Sequence, residues 1–214
     1  MKKASTKLLT AVLCAAGVAA AGDKGFTPPP AAAAQTYPAH ETHDDEKVSI
    51  AMDPYDTQEK ASIFKVKYRE IDFLPVRLII TNDGSTPIMM NDLKVEYITA
   101  GRDKLEPATR DDIVRRITHP HKAATRTPLP FPVPRGKPDV LKKDQEEEIQ
   151  SANFVPFPVT PHTTYSGFLF FDVRDIRDFK EGAHLYLSGL KAGTKELFYF
   201  DIPMEKYLSG QPPK

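Results

Sequence analysis

The side chains able to do chemistry are few and loosely placed. His119-Pro120-His121 is an HxH pair, His162 sits among Thr and Pro, and His40 with His43 runs into Asp44, Asp45 and Glu46. On an extended segment the two imidazoles of an HxH pair point the same way, and one further His or carboxylate would complete a zinc-type site. His119, His121 and His162 are therefore the metal candidates, but no spaced metal motif accompanies them. The expectation is loop histidines, with no metal and no cofactor. Nucleophilic catalysis has less support still. There is no G-x-S-x-G elbow, Ser166 before Gly167 lies in a strand pattern, and the only cysteine, Cys14, belongs to the first apolar run. Paired carboxylates occur in charge-dense stretches, Asp111-Asp112 and Glu146 to Glu148, where nothing in the pattern predicts burial or a displaced pKa. No glycine-rich phosphate loop is present, and together these absences read as a non-enzymatic protein.

What positions these residues is a mostly extended chain. The 214 residues, 40% of them hydrophobic, allow one domain with a sizeable core. Twenty prolines against 11 glycines, with no tryptophan, favour turns, edges and extended connections over long helices, so the composition leans all-β. Lys and Arg number 29, as do Asp and Glu; without Lys2, Lys3 and Lys7 the balance is 26 against 29, or minus three. Nucleic acid binding requires a basic patch, and that class of partner is excluded on this ground.

Residues 1–21 have a basic start and an apolar run over 8–18 that ends in Ala19-Ala20-Ala21, the pattern of a secretory signal peptide. The run is too short to cross a bilayer, which takes about 20 residues. No second such run follows, so no transmembrane segment is expected in the mature chain. Cys14 is a lipidation candidate, although bulky Leu13 precedes it, and membrane attachment would depend on that modification. If Cys14 leaves with the signal, the mature chain has no disulfide. The periplasm, the cell envelope or the exterior is the expected location. Residues 22–46, rich in Pro and Ala and without apolar periodicity, read as a flexible leader.

The domain is expected over 47–208, with 209–214 as a tail. Val48, Ile50 and Met52 alternate with small or polar residues, and Phe64, Val66 and Tyr68 alternate with Lys65 and Lys67, so both runs predict strands with one buried face. In FLPVRLIITNDGSTPIMMNDLKVEYI, Val76, Leu78 and Ile80 share a face, Asn82, Asp83 and Gly84 tolerate left-handed backbone, and Leu93, Val95 and Tyr97 resume the alternation. Pro87 to Met90 predict a bulge or short edge segment, with Met89 and Met90 as packing. Thr109 as cap, Asp111 and Asp112 in the first turn, Ile113 and Ile117 four apart, and Arg115 and Arg116 at the far end predict one short helix plugging an open end.

The pattern then lapses over 119–150, a Pro-rich and charged insertion whose end, Lys142 to Ile149, reads as a solvent-exposed charged helix. Leu129, Phe131 and Val133 alternate with Pro128, Pro130, Pro132 and Pro134, so an extended ribbon would present three apolar side chains on one edge. Laid over the protein's own surface they would be core. On an exposed arm they would be partner-binding candidates. Beyond the insertion, Phe168 and Phe170 take one face of a strand and Leu169, Phe171 and Val173 the other, which predicts cover on both sides. DVRDIRDFKEG reads as a solvated loop, and HLYLSGL with ELFYFDI as a hairpin turning at Gly193.

Seven or eight strands spaced by turns give the profile of an antiparallel immunoglobulin-like sandwich, without the Cys…Trp…Cys signature. PVRLIITNDGSTPI resembles the strand, turn and strand of bacterial envelope sandwich domains, and HTTYSGFLFF looks like their late Gly-aromatic strand. The resemblance covers 47–118 and 151–208 and implies a fold without an activity. The expected function is therefore a non-enzymatic envelope protein, structural or binding an unknown envelope protein. The alternative is a small-molecule or metal-binding module using His119 to Pro134, and a hydrolase with dispersed residues would require a deep polar cleft.

Overall fold

The computed structural model describes residues 26–119 and 140–210. Among them, eleven strands follow the chain: β1 (His40–His43), β2 (Val48–Pro54), β3 (Phe73–Asn82), β4 (Ile88–Met89), β5 (Lys94–Ile98), β6 (Lys104–Leu105), β7 (Thr163–Asp172), β8 (His184–Ser188), β9 (Lys191–Ala192), β10 (Lys195–Glu196) and β11 (Phe200–Pro203). Four of them, β4, β6, β9 and β10, have two residues each, leaving seven longer strands. The named strands pair antiparallel in three sheets, ordered β1-β2-β3-β7, β11-β8-β5-β6 and β10-β9-β4. The chain is mostly β, as its composition predicts.

The centre of the first sheet is β3, buried along its whole length. Its register places Leu78 opposite Met52 on β2 and opposite Gly167 on β7. Val76, Leu78 and Ile80 point inward with Ile50, Met52, Leu169 and Phe171, and meet Val95, Tyr97, Leu185, Leu187 and Phe200 of the second sheet in one apolar cluster. Each such side chain, fully buried, contributes about 1.5 to 3 kcal/mol. Phe73, Phe168 and Phe170 point the other way and form a separate aromatic layer with Tyr55, Phe64 and Tyr68. The two-sided cover expected for β7 is what the structure has.

That outer layer is closed by helices and irregular chain. The two expected helices are α2 and α3 below, and two others join them: α1 (Gln58–Ala61), α2 (Arg110–Thr118), α3 (Lys143–Ala152) and α4 (Met204–Ser209). Thr109 caps α2 in a full capping box with Asp112, as predicted, and Ile113 is buried. The helix lies over the outer face instead of an open end, with the Arg116 guanidinium 4.9 Å from the Phe73 ring centre and bonded to Asp172. Nor is α3 solvent-exposed on all sides, since Glu148, Ile149 and Ala152 are buried.

Glu148 explains a second departure. Residues 62–68 alternate as predicted, with Phe64, Val66 and Tyr68 buried and Lys65 and Lys67 exposed, yet they form no strand and end in a 3₁₀ turn, Tyr68–Ile71. No neighbouring strand receives their amides. The Glu148 carboxylate accepts from Lys65 N at 2.5 Å and Val66 N at 3.0 Å in place of one. Burial pushes this carboxyl above its usual range, and the two amides only partly oppose that. The Tyr68 hydroxyl is buried beside it, and burial, then the Glu148 charge, raises its pKa as well.

The stretch expected as a leader is packed from residue 26 onward. Phe26 stacks on Phe64 at 5.4 Å, the Pro29 carbonyl accepts from Arg77, Ala34 N donates to Thr81 Oγ1 at 2.8 Å, and Met52 N donates to Ala39 O at 3.0 Å. Small residues make this possible: Ala34 and Ala39 are fully buried against the sheet. The same smallness hides the segment from any periodicity test.

Two turn expectations divide. Gly193 adopts φ 61° between β9 and β10, and β8 pairs with β11 through Leu187 and Phe200, so the late hairpin is present with a short extension at its tip. None of Asn82, Asp83 and Gly84 is left-handed. Buried Asn82 works through its side chain instead: Nδ2 donates to Thr86 O at 2.9 Å and Val159 O at 3.0 Å, and Oδ1 accepts from Gly84 N at 2.9 Å. Ile88 then pairs with Val159 and Ala192, the expected edge segment, and Met90 joins the inner cluster.

Candidate functional site

Of the histidine groups singled out by sequence, one is built into the fold. His119 is exposed at the end of α2, its Nδ1 2.9 Å from Thr118 Oγ1, and His162 is exposed with φ 57°. His121 lies outside the described residues, as do Leu129, Phe131, Val133 and Cys14. Among the described residues no group of three His, Cys, Asp or Glu side chains is placed to hold a metal ion.

His43, at the end of β1, is held on three sides. Its ring stacks on Phe200 at 3.9 Å and 13°. Nδ1 is 3.1 Å from Glu46 Oε2 and Nε2 is 3.2 Å from Glu41 Oε1. Both carboxylates then reach the backbone of the neighbouring sheet: Glu46 accepts from Phe198 N at 3.2 and 3.3 Å, and Glu41 from Asp201 N at 2.6 Å. Lys195 Nζ is 3.7 Å from Glu46, whose side chain is only 2% exposed. β1 and β11 are edge strands of two different sheets, and edges leave backbone groups without a ladder partner. Here side chains join the two edges. Each ring nitrogen thus faces one carboxylate, and the ring ties both to the edge.

Above this clasp stands an aromatic ledge. Phe198 is 72% exposed and Tyr199 56%. Tyr186 from β8 supports Tyr199, with ring centres 5.4 Å apart. The two exposed rings and the side chains of Glu41, His43, Asp44, Asp45 and Glu46 line an open cleft of about 370 Å³. Sequence reasoning put ELFYFDI into a hairpin strand and missed the ledge. The signal was available: Phe198 and Tyr199 are adjacent, and adjacent residues of a strand cannot both face one core. The structure resolves the conflict by leaving residues 197–199 outside any strand.

A second concavity of about 480 Å³ lies where the chain enters β3 and leaves β7, bounded by the loop after β7. At its base Asp56 is buried and accepts from Lys180 Nζ at 2.7 Å and Tyr207 Oη at 2.6 Å. Burial works against the charge of Asp56, but the two hydrogen bonds and the ammonium outweigh it and hold the carboxyl below its usual range. Neither Asp56 nor Lys180 stands out in the sequence, because they are 124 positions apart. No protein-family model, curated protein or solved structure matches this chain.

Proposed function

We propose that this is a non-enzymatic protein exported to the bacterial envelope, an immunoglobulin-like sandwich that binds another protein on the Phe198–Tyr199 ledge. Export rests on the basic, then apolar, then alanine-rich pattern of residues 1–21. Among the described residues, no helix is long and apolar enough to cross a membrane. The sandwich reading is supported by two four-stranded antiparallel sheets with one apolar cluster between them.

The single observation carrying the binding role is the ledge. Two aromatic rings stand in water on a fixed base, although the fold buries its other Phe-rich run, 168–171, completely. Rigid exposed aromatics are the side chains that anchor protein interfaces. Asp44 and Asp45 are exposed beside them, and no Lys or Arg is among the described residues that line the cleft, so the complementary partner is an extended segment bearing Lys or Arg. The test is affinity capture from envelope extract with the purified protein and with F198A/Y199A. A partner held by the first and weakened about 30-fold or more in the second is expected, as for loss of an anchor worth about 2 kcal/mol. Equal recovery by both, or no partner with the protein free in the medium, overturns the reading.

A further inference from the structure

The second concavity lies apart from the ledge and shares no lining residue with it. Its two rims are tied together: Val173 N donates to Asp72 O at 2.9 Å, and Arg116 bonds both Asp172 and the Ile71 carbonyl. Asp72 and Asp175, one on each rim, are held left-handed at φ 61° and 63°. The opening is therefore set by the fold.

Its charges balance in number, three against three, but are only partly paired. Asp56, Asp72 and Asp175 face Arg69, Arg177 and Lys180. Lys180 is committed to Asp56 at 2.7 Å, and Asp72 lies 3.8 Å from Arg116, which stands outside the cleft. That leaves two guanidiniums, with Asp175 and the loosely held Asp72 beside them. Among the described residues neither Arg69 nor Arg177 makes an ion pair or side-chain hydrogen bond. Beside them the wall is apolar, formed by Ile176, Phe179 and the end of Phe73. Among the described residues its lining holds no Ser, Thr, Cys or His.

We propose that this cleft binds a small organic carboxylate with an apolar tail. The carboxylate sits between Arg69 and Arg177, whose planar N–H pairs match its two oxygens, and the tail lies against Ile176 and Phe179. The Asp56–Lys180–Tyr207 group forms the floor and keeps Lys180 from competing for the anion. A volume of about 480 Å³ suits a ligand of a few to a dozen heavy atoms.

The test is amide NMR of the purified protein titrated with hexanoate, hexanol and inorganic phosphate. Hexanoate should saturate in the low millimolar range, about 1 to 5 mM, and move amides of residues 69–74 and 173–180. Hexanol lacks the charge and phosphate lacks the tail, so each should bind about tenfold or more weakly. R69Q/R177Q, changing two exposed side chains, should weaken hexanoate about tenfold with the rest of the spectrum unmoved, and single R177Q provides the same comparison if the double variant is misfolded. Four outcomes overturn the proposal: no saturable shifts up to about 20 mM, equal affinity for hexanol, retained affinity in the arginine variants, or shifts scattered over other basic surfaces.

Discussion

On the inner side of β3 and β7, Leu78 and Phe171 meet side chains of a second sheet; on the outer side, Phe168 and Phe170 meet helices and irregular chain. The inner interface needs almost no polar help, because each sheet satisfies its own backbone through its ladder. The outer interface does need it. Arg77 donates to the Pro29 carbonyl and to Ser166 Oγ at 2.9 Å, Thr81 accepts from Ala34 N, and Glu148 accepts two amides of the 64–68 stretch. Arg77, Thr81 and Glu148 are buried for this reason. A cover without a ladder brings unpaired amides to the sheet, and side chains must meet them.

Neighbours on β7 give the sharpest way to break that comparison. Phe171→Ala empties the inner cluster and Phe170→Ala the outer layer, and each should cost about 3 to 5 kcal/mol in urea unfolding, as for buried aromatic truncations. If Phe170→Ala costs less than half as much, the outer layer is a loose lid and the two faces are unequal. Glu148→Ala comes next. It strands the Lys65 and Val66 amides, for a loss of about 2 to 3 kcal/mol.

The pH dependence separates charge from hydrogen bonding at the same position. The carboxyl of Glu148 is raised in the folded state, so its favourable contribution is complete below the ordinary carboxylate range, about pH 4, and declines as pH rises through the folded value. Glu148→Gln keeps an acceptor without the titration, so its stability relative to the parent should rise from acid to neutral pH; parallel curves would remove Glu148 from the account. Asp56 acts in the opposite sense, since its lowered carboxyl stabilises above the ordinary range and loses that contribution as pH falls, so it would remain in both curves. The smallest effect belongs to the clasp. His43→Ala should cost about 1 kcal/mol, its contacts lying at a partly exposed edge, while shifting the amide resonances of Phe198 and Asp201.

The inner face was legible in the sequence and much of the outer face was not. Period-two alternation placed Val76, Leu78, Ile80, Phe168, Phe170 and Phe171 on their correct sides, because a strand against a strand repeats one rule. The Thr109 cap was equally plain, being local chemistry. Burial of Phe64, Val66 and Tyr68 was foreseen, but their backbone state was not, since it depends on Glu148 more than 80 positions away. Residues 26–39 escaped because Ala and Pro cover a sheet without any periodic signature. In the sequence His43 is one histidine running into acids. Its role as a joint between edges required knowing that β1 and β11 meet.

One consequence of the packed N-terminal stretch concerns timing. Phe26 rests on Phe64, Pro29 on Arg77 and Ala34 on Thr81, which is 47 residues further on. Each docking partner is synthesised later than the segment it receives, so the earliest part of the domain to emerge is among the last to be seated. Until then the rings it shelters face water, and that interval sets how long one nascent molecule is open to sticking to another.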